Sequence, residues 1–306
     1  MTSPKVAAIV LNYNGKALTL AAVASLKQMA YPAFDILVVD NGSADGSYEA
    51  VAAVHPDVTQ VRTEQNLGVA GGYNLGISWA LARDYEFILI LNNDIEVDPA
   101  MLDELVKVAE RDPRIGAVGP KAYYFWDRDR LWSAGGIIRF KESVTRERGD
   151  GEVDRGQYDR DQEMAYVNGN GMLMRRDAVL AAGLWDPLFY LAVEDADWCM
   201  RAKRQGYRTW FAHRAVLYHM VSRATGVYKP ARTYHTGRST ALFVRRYGGP
   251  WQWLTFVIFV WLALPAAYVR EWCKGNQAAV GSKLRGILAG LRAPLTPPPP
   301  APTRAS

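Results

Sequence analysis

Val6-Ala-Ala-Ile-Val-Leu11, followed at once by Asn12-Tyr-Asn-Gly15, sets the architecture expected of this chain. Six consecutive apolar residues leave no polar face, and turn formers close the run. That pattern belongs to a strand buried on both sides. The same grammar repeats downstream. Lys16–Met29 places Leu18, Ala21, Ala22, Leu26 and Met29 along one side of a helix. Asp35–Val39, Val58–Arg62 and Phe87–Leu91 read as the next three strands, with Ser47–Val54 and Ala70–Arg83 as the helices between them. Asp98-Pro99 opens another helix, Asp98 as N-cap and Pro99 in the first turn, and Ile115–Gly119 is a further strand. Alternating strands and helices predict an α/β fold: a mostly parallel sheet covered by helices on both faces.

The second half is less regular. Thirteen of the 23 residues in 141–163 are charged, so this segment is expected to be a solvated loop or mobile excursion. A strand around Gly171–Met174, a helix over Glu194–Gln205 closed by Gly206, strands at Thr209–Phe211 and Ala215–Tyr218, and a helix over Arg232–Tyr247 follow. The proline-rich end, from Pro294 on, is expected to be disordered.

Composition narrows the function. The chain has 306 residues and a net charge of +5. From Arg245 onward there are eight basic residues and one acid, so residues 1–244 carry −2. A body without its own basic face argues against nucleic acid as a partner. Two cysteines, Cys199 and Cys273, are too few for a disulfide scaffold; Cys199 reads as core. No secretory signal is evident at the N-terminus, so the body is expected on the cytoplasmic side of a membrane.

Polar residues gather where the parallel strands end, which is where open α/β sheets bind ligands. The four ends are Asn12-Tyr-Asn-Gly15, Asp40-Asn-Gly-Ser43, Asn66-Leu-Gly-Val-Ala-Gly-Gly-Tyr-Asn74 and Asn92-Asn-Asp94. Any one of them could be only a turn; four on one edge point to a nucleotide. The dinucleotide fingerprint Gly-x-Gly-x-x-Gly is missing after the first strand, and so is a Walker A loop. Asp40 is suited to accept from a uracil or thymine ring N–H. Gly68, Gly71 and Gly72 would let backbone approach a nucleoside. Asp94, with Asn92 nearby, is suited to a hard divalent cation bridging a diphosphate.

Taken in order, Val10-Leu-Asn-Tyr-Asn-Gly15, Val39-Asp-Asn-Gly-Ser43, Asn66-Leu-Gly68 with Gly71-Gly-Tyr-Asn74, Leu91-Asn-Asn-Asp94, Val167-Asn-Gly169 with Met172, and Glu194-Asp-Ala-Asp-Trp-Cys-Met-Arg201 resemble the family-two glycosyltransferases of GT-A fold, in particular their rhamnosyltransferase-like bacterial branch. The resemblance spans roughly residues 5–245. It implies a GT-A domain over 1–245, with the nucleotide-sugar half at about 1–120 and the acceptor half at about 121–245. It also implies a donor site including Asn12, Asn14, Asp40, Asn41, Asn66, Gly71, Gly72, Asn74, Asn93 and Asp94. Asp195 corresponds to the general base of the Glu-Asp motif. Asp94, Asn92 and His219 correspond to the site of Mg2+ or Mn2+, although Asn92 stands where the family carries an aspartate. The Gln-x-x-Arg-Trp motif of processive synthases is not found, which favours addition of a single sugar. The implied reaction is inverting transfer from a nucleotide diphosphate sugar, dTDP-rhamnose first and a UDP-hexose next, to a glycan or polyprenyl-linked glycan in bacterial cell-surface polysaccharide synthesis. An Asp195 at a helix N-terminus keeps a low pKa unless burial raises it. Trp132 with Gly135-Gly136 is a candidate lining of the acceptor side, and His213 and His235 read as structural. A sugar nucleotidyltransferase would need a basic glycine-rich loop after the first strand, which Asn12-Tyr-Asn-Gly15 is not. A non-catalytic glycan-binding protein would be expected to have lost Asp94 or Asp195.

Residues 246–293 differ from the rest. Trp251–Val269 has only Gln252 and Thr255 as polar side chains, long enough for a bilayer span. Basic residues flank it on both sides, which disagrees with a clean crossing. Leu284, Ile287, Leu288 and Leu291, beside Lys283, Arg285 and Arg292, form a basic amphipathic helix suited to anionic lipid. In-plane or re-entrant attachment to the inner leaflet is therefore expected over a span, with residues 294–306 as a free tail.

Overall fold

The computed structural model describes residues 3–141, 143–221, 229–272 and 274–302; Cys273 and Arg304, counted above, lie outside them. The first strand is β1 (Val6–Asn12), and it is buried on both faces as its composition requires. Ala7 and Ile9 enter one hydrophobic layer, Val6, Ala8 and Val10 the other. Helix α1 (Lys16–Leu26), β2 (Phe34–Asp40), α2 (Ser47–Val54), β3 (Thr59–Arg62), α3 (Gly68–Leu81) and β4 (Phe87–Asn92) follow the predicted alternation. A short β5 (Ile95–Val97), not foreseen, precedes α4 (Met101–Ala109). That helix begins two residues later than Asp98-Pro99 suggested, because Asp98 caps a separate turn by accepting from the Ala100 N–H. Beyond it lie β6 (Ile115–Tyr124), β7 (Asp127–Ser133), β8 (Gly136–Ile138), β9 (Thr145–Glu147), β10 (Gln162–Glu163), β11 (Gly171–Arg175), α5 (Arg176–Ala182), α6 (Glu194–Arg204), β12 (Arg208–His219), α7 (Pro230–Tyr247), α8 (Pro250–Trp272) and α9 (Gln277–Arg292).

The main sheet runs β10-β12-β6-β11-β4-β1-β2-β3, with β5 on β12 and β7 on β6. The β4, β1, β2 and β3 strands are parallel and end level: Asn12 lies opposite Asp40, Leu11 opposite Asn92, and Asp40 opposite Arg62. Strand β11 enters antiparallel between β4 and β6, with Gly171 opposite Leu91. This turn of direction delivers Asn168-Gly169 to the same edge. The two strands expected at Thr209–Phe211 and Ala215–Tyr218 are one strand, β12, with a register shift between Ala212 and Val216; it sets His219 opposite Ile95, beside Asp94.

The described residues of 141–163 remain largely exposed, but the segment is tied to the body. Its acids meet cations that sit elsewhere in the sequence. Asp154 and Asp159 pair with the buried Lys121 of β6, and Asp161 pairs with Arg111 and His213. Strand β9 pairs with β8 and carries Glu147 inward. The proline-rich end is likewise placed: the Leu184 N–H donates to Pro299 O at 3.0 Å, and Arg246 donates to Thr296 O.

Helix α9 departs from the expected lipid-facing amphipath. It packs parallel to α7, from Thr233 against Ala279 to Arg245 against Ala293. The approach is set by glycine: a Cβ on Gly286 would lie 2.0 Å from Tyr234 O, and one on Gly290 would lie 2.4 Å from Arg238 O. Ile287 is buried in this seam while Leu284 and Leu288 face outward. Arg246, counted above among charges flanking the apolar segment, is an internal anchor, 2.7 Å from Asp186 and 2.8 Å from Asp197. Since α7 and α9 are parallel, α8 between them returns antiparallel along the same length. Among the described residues α8 alone is long and apolar enough to cross a membrane. Phe256 anchors it to the body, and Trp251, Trp261 and Val269 are at least 70% exposed.

Candidate active site

Most of the amides predicted to hold the donor instead hold the loops. Asn12 is buried and saturated. Its Oδ1 accepts from the Gly15 N–H, Thr19 Oγ1 and Asn93 Nδ2, and its Nδ2 donates toward Asp40, Ser43 and Ser47. Asn93 is thereby tied to β1, and Asn14 accepts from the Ala44 N–H. Asn41 bridges to Asn66 and Gly68, and Asn74 clamps the backbone of Trp185 from both sides. Asp40 is not the open carboxylate expected for a ring N–H: it is fully buried and accepts from Asn12, Ser43 N–H and Ser47, with Arg62 Nε at 3.5 Å. Gly68 and Gly72 serve packing. A Cβ on either would come within 2.5 Å, of Tyr190 and of Leu11 respectively, and one on Gly71 would meet Leu67. What this scaffold shapes is a cleft of about 430 Å³ lined by Gly42, Ser43, Arg62, Thr63 and Glu64, beside Asp40.

At the end of β4 the structure brings Asp94 and His219 together, with His219 Nε2 3.2 Å from Asp94 Oδ1. Both are over nine-tenths buried, and Trp132 packs edge-on to the imidazole at 4.5 Å. Burial works to raise the Asp94 carboxyl, but the His219 hydrogen bond and charge outweigh it, and the pKa lies below the ordinary value. Arg232, at the start of α7, is close enough for its charge to act on Asp94. Asn92 is not part of this pair; its Oδ1 accepts from the Tyr73 hydroxyl at 3.0 Å. Among the described residues no cluster of three or more His, Cys, Asp or Glu side chains forms a metal cage. One carboxylate and one imidazole at cis-ligand separation fit a divalent ion whose remaining ligands are water and phosphate oxygens.

Asp195 opens α6 in the turn after Val193, which takes a left-handed conformation (φ 63°). Its Oδ2 accepts from the Gly169 N–H at 3.1 Å and its Oδ1 from the Ala196 N–H at 2.7 Å. Burial overrides these donors and the helix terminus, lifting its pKa to about 6. Neighbouring Glu194 is pushed well above the ordinary carboxylate range by burial and by the charge of Asp195, and its Oε2 is buried without a partner. The Tyr73 hydroxyl joins the two halves: it donates to Asn92 and lies 3.4 Å from Gly169 O. Burial, then the charges of Glu194, Asp94 and Asp195, drive its pKa upward.

Sequence reasoning missed Glu147. It accepts from Ser133 Oγ, the Tyr166 hydroxyl and, at 2.9 Å, Asn168 Nδ2. Asn168 thus holds Glu147 while the next residue, Gly169, holds Asp195. Burial pushes Glu147 up to about 7 against those donors, and the charge of Asp195 adds to the rise. Only the Val167-Asn-Gly169 motif signalled this spot, and nothing in the charged 141–163 segment marked one acid as different. Cys199 is buried core, its thiol pushed up to about 12.

Comparison with known proteins bears on family and fold. The chain is 25% identical to N-acetylglucosaminyl-diphospho-decaprenol L-rhamnosyltransferase of Mycobacterium tuberculosis, covering 75% of this chain and 81% of that protein. It is 29% identical to the O-antigen biosynthesis protein RfbC of Myxococcus xanthus, over 71% of this chain but 17% of that one. Among solved structures it superposes on the mannosyltransferase PcManGT from Pyrobaculum calidifontis, in complex with GDP-Man and Mn2+, with TM-score 0.60 and 19% identity over 95% and 88% of the two chains. It also superposes on GalNAc-T7 with UDP, GalNAc and Mn2+, with TM-score 0.61 and 14% identity over 78% and 48%. The fold is therefore GT-A. The model of glycosyl transferase family 2 matches residues 7–180, more than half of the sequence, and the chain belongs to that family.

Proposed function

We propose that this glycosyltransferase moves a single sugar, with inversion, from a nucleotide diphosphate sugar to a lipid-linked glycan at a membrane surface, in assembly of a cell-surface polysaccharide. The observation that carries the reading is the hydrogen-bond link through the Tyr73 hydroxyl, from Asn92, two residues before Asp94 at the end of β4, to Gly169, whose N–H holds Asp195 at the N-terminus of α6. A nucleoside fits the cleft beside Asp40, and its diphosphate then lies toward Asp94. Asp94 and His219 would hold Mg2+ or Mn2+, which when bound withdraws charge from the diphosphate. Arg232 adds a fixed positive charge there. Asp195, largely ionised at neutral pH with a pKa near 6, takes the proton of the acceptor hydroxyl as its oxygen attacks the anomeric carbon. The C1–O bond to the diphosphate breaks on the opposite face. Likeness to the mycobacterial rhamnosyltransferase makes dTDP-rhamnose the first donor to try and a polyprenyl diphosphate glycan the first acceptor. The return of α8 along α7 and α9 favours attachment in the plane of the membrane, at its cytoplasmic face.

The test is transfer from a panel of dTDP- and UDP-sugars, with and without Mn2+, by wild type and Asp195→Asn. Retained donor binding with turnover reduced about 10²–10⁴-fold supports the reading; an active Asp195→Asn overturns it.

A further inference from the structure

Helices α7, α8 and α9 enclose a groove of about 600 Å³, within the range of about 300–1,000 Å³ common for ligand clefts. Its walls are apolar: Phe259, Val260, Ala263 and Ala267 from α8, and Val280 and Ile287 from α9. Only three lining residues are polar or charged. Thr233 comes from α7, Arg270 from the end of α8 and Lys283 from α9. Arg270 pairs with Glu271, which Lys274 also approaches, and Lys283 lines the groove from the facing helix, so the groove's polar lining is basic. The Thr233 end is the one toward the reaction centre, because Arg232, whose charge acts on Asp94, directly precedes Thr233 in α7.

We propose that this groove is the site of the acceptor's lipid: it takes the proximal part of one polyprenyl chain, with the chain's phosphate at Arg270 and Lys283. The inference rests on the lipid-linked acceptor argued above and adds where its lipid lies. A polyprenyl diphosphate sugar presents apolar chain, anion and sugar in that order. The protein presents apolar groove, cations and Asp94–Asp195 centre in the same order. An ordinary phospholipid matches the first two and has no reason to lie next to the third. Helix α8, one wall of the groove, is held to the body through Phe256 and the Lys141–Phe259 contact.

The experiment uses the full chain on phosphatidylcholine vesicles and two acceptors with the same sugar diphosphate, one on a long polyprenyl chain and one on a short water-soluble alkyl. Ala267→Trp fills the groove, and Lys283→Glu reverses one of its charges. Ala267→Trp is expected to raise KM for the long-chain acceptor at least tenfold, leaving kcat/KM for the short-chain acceptor within twofold. Lys283→Glu, at the phosphate that both acceptors carry, is expected to raise KM for both at least tenfold. Nucleotide binding should stay within twofold in each. A photoreactive polyprenyl phosphate should label α8 and α9 in wild type and be displaced by unlabelled polyprenyl phosphate but not by phosphatidylglycerol. If either variant, folded by its melting curve and binding nucleotide, uses the long chain as well as wild type, or if phosphatidylglycerol displaces the probe equally, the groove holds no acceptor lipid. Absence of transfer to both acceptors by wild type would instead refute the proposed function.

Discussion

Replacing Glu147 by glutamine should make the enzyme more stable at neutral and alkaline pH, and the effect has one origin. Glutamine is isosteric. Its oxygen can keep the Tyr166 and Asn168 bonds, and Ser133 can rotate to accept from its nitrogen. What changes is the charge. In the folded protein Glu147 holds its proton up to about pH 7, whereas its ordinary value is 4.5. Between these values the native state binds a proton that the unfolded chain has lost, so wild-type stability falls as pH rises through that window. At about 1.4 kcal/mol per pH unit the full cost is about 3 kcal/mol, an upper bound because the side chain keeps some contact with water. Glu147→Gln removes it. The variant should match wild type below about pH 4.5 and exceed it by as much as about 3 kcal/mol above pH 7, read by urea unfolding across that range. Near pH 6 Glu147 is already mostly protonated, so the acid limb of kcat/KM, expected where Asp195 titrates at about 6, should stay in place. A stability difference that is independent of pH, or a variant weaker than wild type at pH 8, would refute the claim that an enclosed charge sits beside the base.

Other substitutions separate the parts of the site. Asp94→Ala should abolish metal-dependent donor binding in calorimetric titration, leaving any metal-independent nucleotide binding in the cleft beside Asp40. Tyr73→Phe removes a buried hydrogen bond, at a cost of about 1–2 kcal/mol; single-turnover rates should drop with donor Kd unchanged, since the hydroxyl positions the Gly169 turn under Asp195. Gly286→Ala puts a methyl 2.0 Å from Tyr234 O and should destabilise the protein by about 1–3 kcal/mol in thermal melts, with the loss appearing even in detergent. A lipid-floating α9 would tolerate the change.

The parts of the fold legible in the sequence were those written in local pattern. The apolar run Val6–Leu11 carries its own instruction, because a strand with no polar face has to be covered on both sides. The left-handed Gly206 closes α6 where expected. The ordered motifs singled out Asp94 and His219, which the fold brings to 3.2 Å, and Asp195, which it seats at the start of α6. Illegible were the features whose partners are far away in sequence. Lys121 looks like any surface lysine until β6 buries it between Asp154 and Asp159, and the same pairing turns a charged, seemingly solvated stretch into the wall that presents Glu147. Arg246 looks like a membrane-flanking charge until Asp186 and Asp197 claim it.

The second role of the donor amides, holding the loops, was illegible for a related reason. Asn and Asp at strand ends are equally suited to bind a nucleotide and to bind one another, and composition cannot tell these apart. Here Asn12 and Asp40 spend their hydrogen-bonding capacity on each other's loops. That arrangement has a functional logic. A site that must receive a diphosphate and release it again gains from walls that do not rearrange, since donors already fixed by their neighbours need no reordering when charge develops. The side chains left with unspent capacity are then the informative ones. Glu194 Oε2 and His219 Nδ1 are buried without partners among the described residues, one beside Asp195 and one beside Asp94.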